Sequence, residues 1–169
     1  DCVRRRTAVD DRRADVERQT LLAEGDRWPV PGSWEWRALA DLALFIDYRG
    51  KTPSKVTGGV RLITAKNVRR GVINAVPEEF LSDAEDRMGR TRGLPRAGDV
   101  LFTTEAPMGN AAVVRVRERF ALAQRVICLR FYGALDPGFA VLQILAQPFQ
   151  TILETTSTGL TAKGIKAAK

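Results

Sequence analysis

The run Arg125-Val126-Ile127-Cys128-Leu129-Arg130-Phe131 constrains this chain more than any other stretch, because it is apolar, of strand length and rich in residues that suit a pleated surface. It does not stand alone. Upstream, Gly98-Asp99 turns into a second such run, Val100 to Thr104, and Glu105-Ala106-Pro107-Met108-Gly109-Asn110 then leads into Ala111 to Val116. This pattern predicts a hairpin with a long tip. Arg117-Glu118-Arg119 makes the next turn. A fourth, shorter apolar run, Val60 to Ile63, predicts another strand.

Helical signals flank these strands. Asp136-Pro137 reads as an N-cap followed by proline at the first helical position, opening a helix with Phe139, Leu142 and Leu145 on one face that Pro148 stops. Phe149, Ile152 and Leu153 indicate a second short helix. Ser82 with Glu85 three residues later is a capping-box pattern and predicts a short helix there. Residues 1–27 are dense in charge of both signs, free of proline up to Gly25, with Val9, Val16 and Leu22 near heptad spacing, as expected of an exposed helix packing along a thin stripe. Trp28-Pro29-Val30-Pro31-Gly32 cannot continue that helix, so a domain boundary is placed there. The bulky residues that follow, Trp34, Trp36, Leu39, Leu42, Leu44 and Phe45, are assigned to the core.

Charge is unevenly distributed. The stretch Tyr48 to Pro77 carries Arg49, Lys51, Lys55, Arg61, Lys66, Arg69 and Arg70 without one Asp or Glu, and these seven charges equal the net charge of +7 of the whole chain. Turn-forming glycines and small hydrogen-bonding side chains (Thr52, Thr64, Asn67, Asn74) are interspersed, a composition suited to loops of donors facing phosphates and equally to a solvated basic loop. Arg87 to Arg96 is basic again, broken by Gly89, Gly93 and Pro95, and is predicted to be a long polar loop. A sequence pI near 10.0 favours an acidic partner, nucleic acid before membrane.

Two isolated cysteines and no histidine argue against a zinc site, a disulfide framework and the usual Ser or Cys triads. Asp99 and Glu105 flank a strand, as the two magnesium-binding carboxylates of a nuclease would, yet the lysine such sites need after the second acid is replaced by Ala106-Pro107. Gly58-Gly59 has neither the fingerprint nor the lysine of a phosphate-binding loop. By residue type, Asn110, Gln124, Arg125 and Glu105 suit base edges, although polar residues at hairpin tips and strand ends more often satisfy local backbone groups. No apolar run approaches the length of a membrane span and no signal-peptide pattern opens the chain, so a cytoplasmic location is expected.

Taken in order, several motifs carry a resemblance. Trp34-Glu35-Trp36 leads to Leu39-Ala40-Asp41, and Arg49-Gly50-Lys51-Thr52-Pro53, Leu62 to Val68, Gly98 to Asn110, Ala123 to Arg130 and Ser157-Thr158-Gly159 follow. Together these resemble the target recognition domain of type I restriction-modification specificity subunits. The resemblance implies a mixed α/β (α+β) fold, a twisted, largely antiparallel sheet with short helices, flanked by the ends of long spacer helices. Residues 1–27 would end one spacer, 28–158 would form the recognition domain and 159–169 would begin a second spacer. It further implies a non-catalytic chain that recognises double-stranded DNA and directs adenine methylation and cleavage by partners. Those partners are modification methyltransferase subunits, a restriction motor subunit and a second copy or second half of the specificity subunit. S-adenosylmethionine, ATP and magnesium would belong to them, with no cofactor in this chain. Phosphate contacts are then expected from Arg49, Lys51, Thr52, Lys55, Lys66, Asn67, Arg69 and Arg70. Because targets differ between members of such a family, base reading is expected in loops without family pattern, chiefly from Arg87, Arg90, Arg92 and Arg96, ahead of Asn110 and Gln124. The alternatives are a nonspecific RNA-binding module and a metal-dependent nuclease domain.

Overall fold

In the computed structural model, the described residues are 27–47, 54–89, 93–133 and 135–157. Arg49, Lys51, Thr52, Arg90 and Arg92, the expected spacer helix over 159–169 and all but Arg27 of the one expected over 1–27 lie outside them. The elements in chain order are α1 (Leu39–Leu42), β1 (Ala43–Asp47), β2 (Lys55–Val56), β3 (Val60–Ile63), β4 (Phe80–Leu81), α2 (Asp83–Gly89), β5 (Val100–Thr103), β6 (Ala111–Val113), β7 (Phe120–Leu122), β8 (Val126–Phe131), α3 (Pro137–Leu145) and α4 (Gln147–Thr156).

The fold is mixed α+β, built in three layers. A central sheet, β1-β8-β5-β6, is antiparallel throughout. The predicted hairpin is its β5–β6 pair, in register from Val100 opposite Val113 to Phe102 opposite Ala111. β8 lies between β5 and β1, so its backbone is hydrogen-bonded on both edges. A second sheet, β2-β4-β3-β7, is antiparallel except where β3 pairs with β7 in parallel.

The two-residue period of a strand divides the central sheet between two cores. Leu101, Ala112, Val126 and Cys128 face the second sheet and pack with Ile63, Phe120 and Leu122. Val100, Phe102, Ala111, Ile127 and Leu129 face the other way, against Val141 and Ile144 of α3 and Leu153 of α4. Both faces of β5 and β8 are covered, which is why their sequences are continuous apolar runs and do not alternate with polar residues.

Local signals explain the helix starts. Asp136 Oδ1 accepts the Phe139 N–H at 2.8 Å and caps α3, and Ser82 Oγ accepts the Glu85 N–H at 3.3 Å before α2. Two expectations are corrected. The buried face of α3 is Ala140, Val141 and Ile144, whereas Phe139 is partly exposed and Leu142 is 68% exposed. The residues that make the close approach are small or β-branched and sit one position off the predicted stripe, of which only Leu145 packs, partly buried, against the same core. The early tryptophans lie at the surface: Trp34, assigned to the core, is 53% exposed, and Trp28, in the boundary turn, is 43% exposed. They pack on neighbouring aromatics at the surface, Trp28 edge-on to Trp36 with centroids 4.2 Å apart and Trp34 edge-on to Phe139 at 5.8 Å. No helix among the described residues is long and apolar enough to cross a membrane.

Candidate nucleic-acid interface

The basic stretch folds around an amide. Asn67 has no exposed surface. Its Oδ1 accepts the Thr64 N–H and the Thr64 hydroxyl, each at 3.0 Å, and its Nδ2 donates to the carbonyls of Asn74 at 3.1 Å and Pro77 at 2.9 Å. All four bonds hold the two ends of the loop after β3 together. Asn67 is therefore corrected from a phosphate contact to the internal brace of that loop: a buried amide with its hydrogen bonds spent has nothing left for a ligand.

The loop's cations differ in what they present. Lys55 Nζ pairs with Glu79 at 2.8 Å and Arg61 with Glu78 at 2.9 Å, so two of the seven charges are neutralised by the acids that immediately follow the stretch. Arg70 reaches across to the last turn of α3, where its Nη2 donates to the Leu145 carbonyl at 2.7 Å, at the end of the helix that attracts cations. Arg69 is exposed, with only long contacts of 3.4 and 3.5 Å to the Ala65 and Val68 carbonyls. Lys66 is exposed in the turn before Asn67. Lys66 and Arg69 are thus the freest cations of this loop among the described residues.

A second basic feature lies elsewhere. Residues 94–97 and 116–120 form the two walls of an open groove of about 460 Å³. Arg96 and Arg117 are exposed along it, and Leu94 and Val116, 43% and 41% exposed, give it an apolar lining. Each wall is tied to a buried carboxylate. Asp99, 2% exposed, accepts from Arg130 Nε at 2.9 Å, from Arg130 Nη2 at 2.8 Å and from the Arg96 N–H at 2.9 Å. Arg130 also donates to the Leu94 carbonyl at 2.6 Å. On the other wall Arg119 pairs with Asp83 at 3.2 Å and with buried Asp86, both on α2. Arg87 follows Asp86 on that helix and is exposed.

The two carboxylates weighed as nuclease ligands differ in what they present. Asp99 is buried and enclosed by Arg130, so it is not open to a cation, whereas Glu105 pairs with Arg125 Nε at 2.8 Å at the surface. Cys128 donates to Asp99 Oδ2 at 3.3 Å. Burial, reinforced by the adjacent carboxylate, pushes its thiol well above its ordinary value, which makes it an inert core residue. Among the weaker base-reading candidates, Asn110 donates from Nδ2 to the Val68 carbonyl at 3.0 Å, and Gln124 is half-buried and engaged within the protein. Asn110 thereby ties the hairpin tip to the basic loop. Sequence reading missed the second wall, 116–120; three exposed charges in a row had looked like an ordinary turn.

No protein-family model matches the sequence, and no curated protein matches it at a significant level. Solved structures do. A chain from a structure described as the basis of complex assembly and conformational transition of the type I R-M system superposes with a TM-score of 0.57 at 19% identity, covering 94% of this chain and 40% of its own. The crystal structure of the HsdS subunit from Thermoanaerobacter tengcongensis gives a TM-score of 0.55 at 19% identity, covering 90% of this chain and 39% of its own. The chain therefore spans about 40% of the length of the structures it matches, and what it shares with them is the fold.

Proposed function

We propose that this chain is a target recognition domain that reads double-stranded DNA as part of a type I restriction-modification specificity subunit. The observation that carries the reading is the fold shared with the HsdS structure and the type I R-M chain over nine-tenths of this chain. In this reading Lys66 and Arg69 grip phosphate and Arg87 and Arg96 approach the bases. The chain is non-catalytic. Methyltransferase and motor subunits carry S-adenosylmethionine, ATP and magnesium and perform adenine methylation and cleavage in the cytoplasm. A second recognition domain, in the same subunit or in a second copy, reads the other half of the target.

The test is selection from a randomised duplex pool, with a Lys66→Glu/Arg69→Glu variant alongside. A short enriched motif that the variant binds at least tenfold more weakly is expected. Enrichment of nothing, with binding that fades smoothly as salt rises, would refute sequence recognition by this chain.

One observation favours a second reading. Trp34 and Tyr132, 53% and 49% exposed, are surface aromatics of the type single-stranded RNA stacks on. The same selection with an RNA pool separates the two, since tighter RNA binding that is lost in Trp34→Ala would select the RNA module.

A further inference from the structure

The groove between 94–97 and 116–120 has a lining that distinguishes reading bases from gripping phosphates. It is not uniformly basic: Glu118 stands between Arg117 and Arg119. A carboxylate at a phosphate contact would be repelled, whereas at a base edge it can accept from the cytosine amino group. The lining also presents apolar surface, Leu94 on one wall and Val116 on the other, which has no role toward phosphate and suits a thymine methyl.

The donors are differentiated as well. Arg119 is held by Asp83 and Asp86 and serves as an anchor. Arg117 is exposed and makes no ion pair with the described residues, and Arg96, with a 70% exposed side chain, is only 4.0 Å from Asp99 at its nearest. One unpaired guanidinium fork, Arg117, and one exposed fork held loosely by Asp99, Arg96, thus stand on walls fixed from beneath by Arg130–Asp99 and by Arg119–Asp86. Bidentate recognition needs this arrangement, a planar donor on a backbone that does not move.

We propose that this groove is a base-reading cleft, in which Arg117 and Arg96 donate to guanine edges in the major groove, Glu118 accepts from cytosine and Leu94 and Val116 contact a thymine methyl. The inference rests on the DNA reading above and adds the segment 116–118 as a specificity determinant. Arg117 is its sharpest residue, because lysine in its place keeps the charge and loses the fork.

The experiment is the randomised-duplex selection repeated with Arg117→Lys and Val116→Ser, each checked for an unchanged melting temperature and titrated against salt. Both side chains are exposed, so both variants are expected to fold. Both should lose preference, on the order of tenfold, at one or two adjacent positions of the wild-type motif while the salt slope stays the same. An unchanged motif in both variants overturns the proposal. If Arg117→Ala then weakens all sequences uniformly and lowers the salt slope by about 1, the groove is a phosphate grip. A wild-type chain that selects no motif overturns the DNA reading itself, a result distinguishable from the other two.

Discussion

Replacing Arg130 with methionine removes the cation that encloses Asp99 while keeping most of the aliphatic bulk. The buried carboxylate then loses two charge-assisted hydrogen bonds, at 2.9 and 2.8 Å, and keeps the Arg96 N–H, the weak Cys128 thiol donor and the Arg96 guanidinium 4.0 Å away. Breaking a buried pair in this way costs about 3–5 kcal/mol, because the remaining charge stays out of water. Total stability for a domain of this kind is only about 5–15 kcal/mol, so the change is expected to remove a large share of it. In urea, with a slope of about 2 kcal/mol per molar, the midpoint should fall by about 1.5–2.5 M, read by far-UV circular dichroism. The mechanism makes a second, stricter demand. Adding Asp99→Asn to Arg130→Met removes the stranded charge but preserves an acceptor for the Arg96 N–H, so the double variant should regain at least half of the loss. A single-variant loss below about 1 kcal/mol, or a double variant less stable than the single one, would refute the assignment of Asp99–Arg130 as the tie beneath the groove wall.

Three further outcomes follow from the same structure. Asn67→Ala forfeits four hydrogen bonds inside the loop after β3 and should destabilise by about 2–4 kcal/mol, at about 1 kcal/mol net per bond, in a urea titration. Were it a phosphate ligand instead, stability would hold and only DNA affinity would drop. Gly59 has φ +139°, and a Cβ there would lie 2.4 Å from the Leu81 carbonyl oxygen, so Gly59→Ala should cost about 1–3 kcal/mol or more and loosen β4 against its neighbours in amide exchange; wild-type protection in β4 would contradict this. Cys128 carries a thiol raised from its ordinary 9.0 first by burial and then by Asp99. The folded state therefore keeps a proton that the unfolded chain releases, so this contribution to stability is intact below pH 9.0 and declines as pH rises above it. Cys128→Ala should flatten that decline, and equal slopes for the two proteins above pH 9 would count against it.

Much of the central sheet was legible because its signals are local or doubly redundant. β5, β6 and β8 are covered on both faces, so burial writes itself into the sequence as unbroken apolar runs. Asp136 and Ser82 cap helices through bonds spanning three residues, which spacing alone predicts. The second sheet was only partly visible. β2 and β4 have two residues each, too few for a period, and β7 gains strand identity from parallel pairing with β3, nearly sixty residues earlier in the chain. Trp34 was misjudged for a related reason: bulk says that a residue packs on something, and Trp34 packs on Phe139 at the surface.

The site shows a deeper limit, since a count of charges does not say which of them are available. Seven cations without an acid between Tyr48 and Pro77 suited a phosphate-facing surface and a solvated loop equally, but Glu78 and Glu79 fold back onto Arg61 and Lys55, and Arg70 is spent on a helix end. Arg117, flanked by an acid, looked ordinary in the chain and emerges exposed, while Arg119 two residues on is the one taken up by Asp83 and Asp86. A carboxylate beside an arginine lowers the net charge of a surface and so weakens its pull on any DNA, yet it raises the cost of seating the wrong base pair. In the proposed DNA reading, affinity and selectivity would then be carried by different loops of this fold: the loop around Lys66 and Arg69 has excess charge without a shaped lining, and the groove beside Arg96 and Arg117 has a shaped lining with little excess charge.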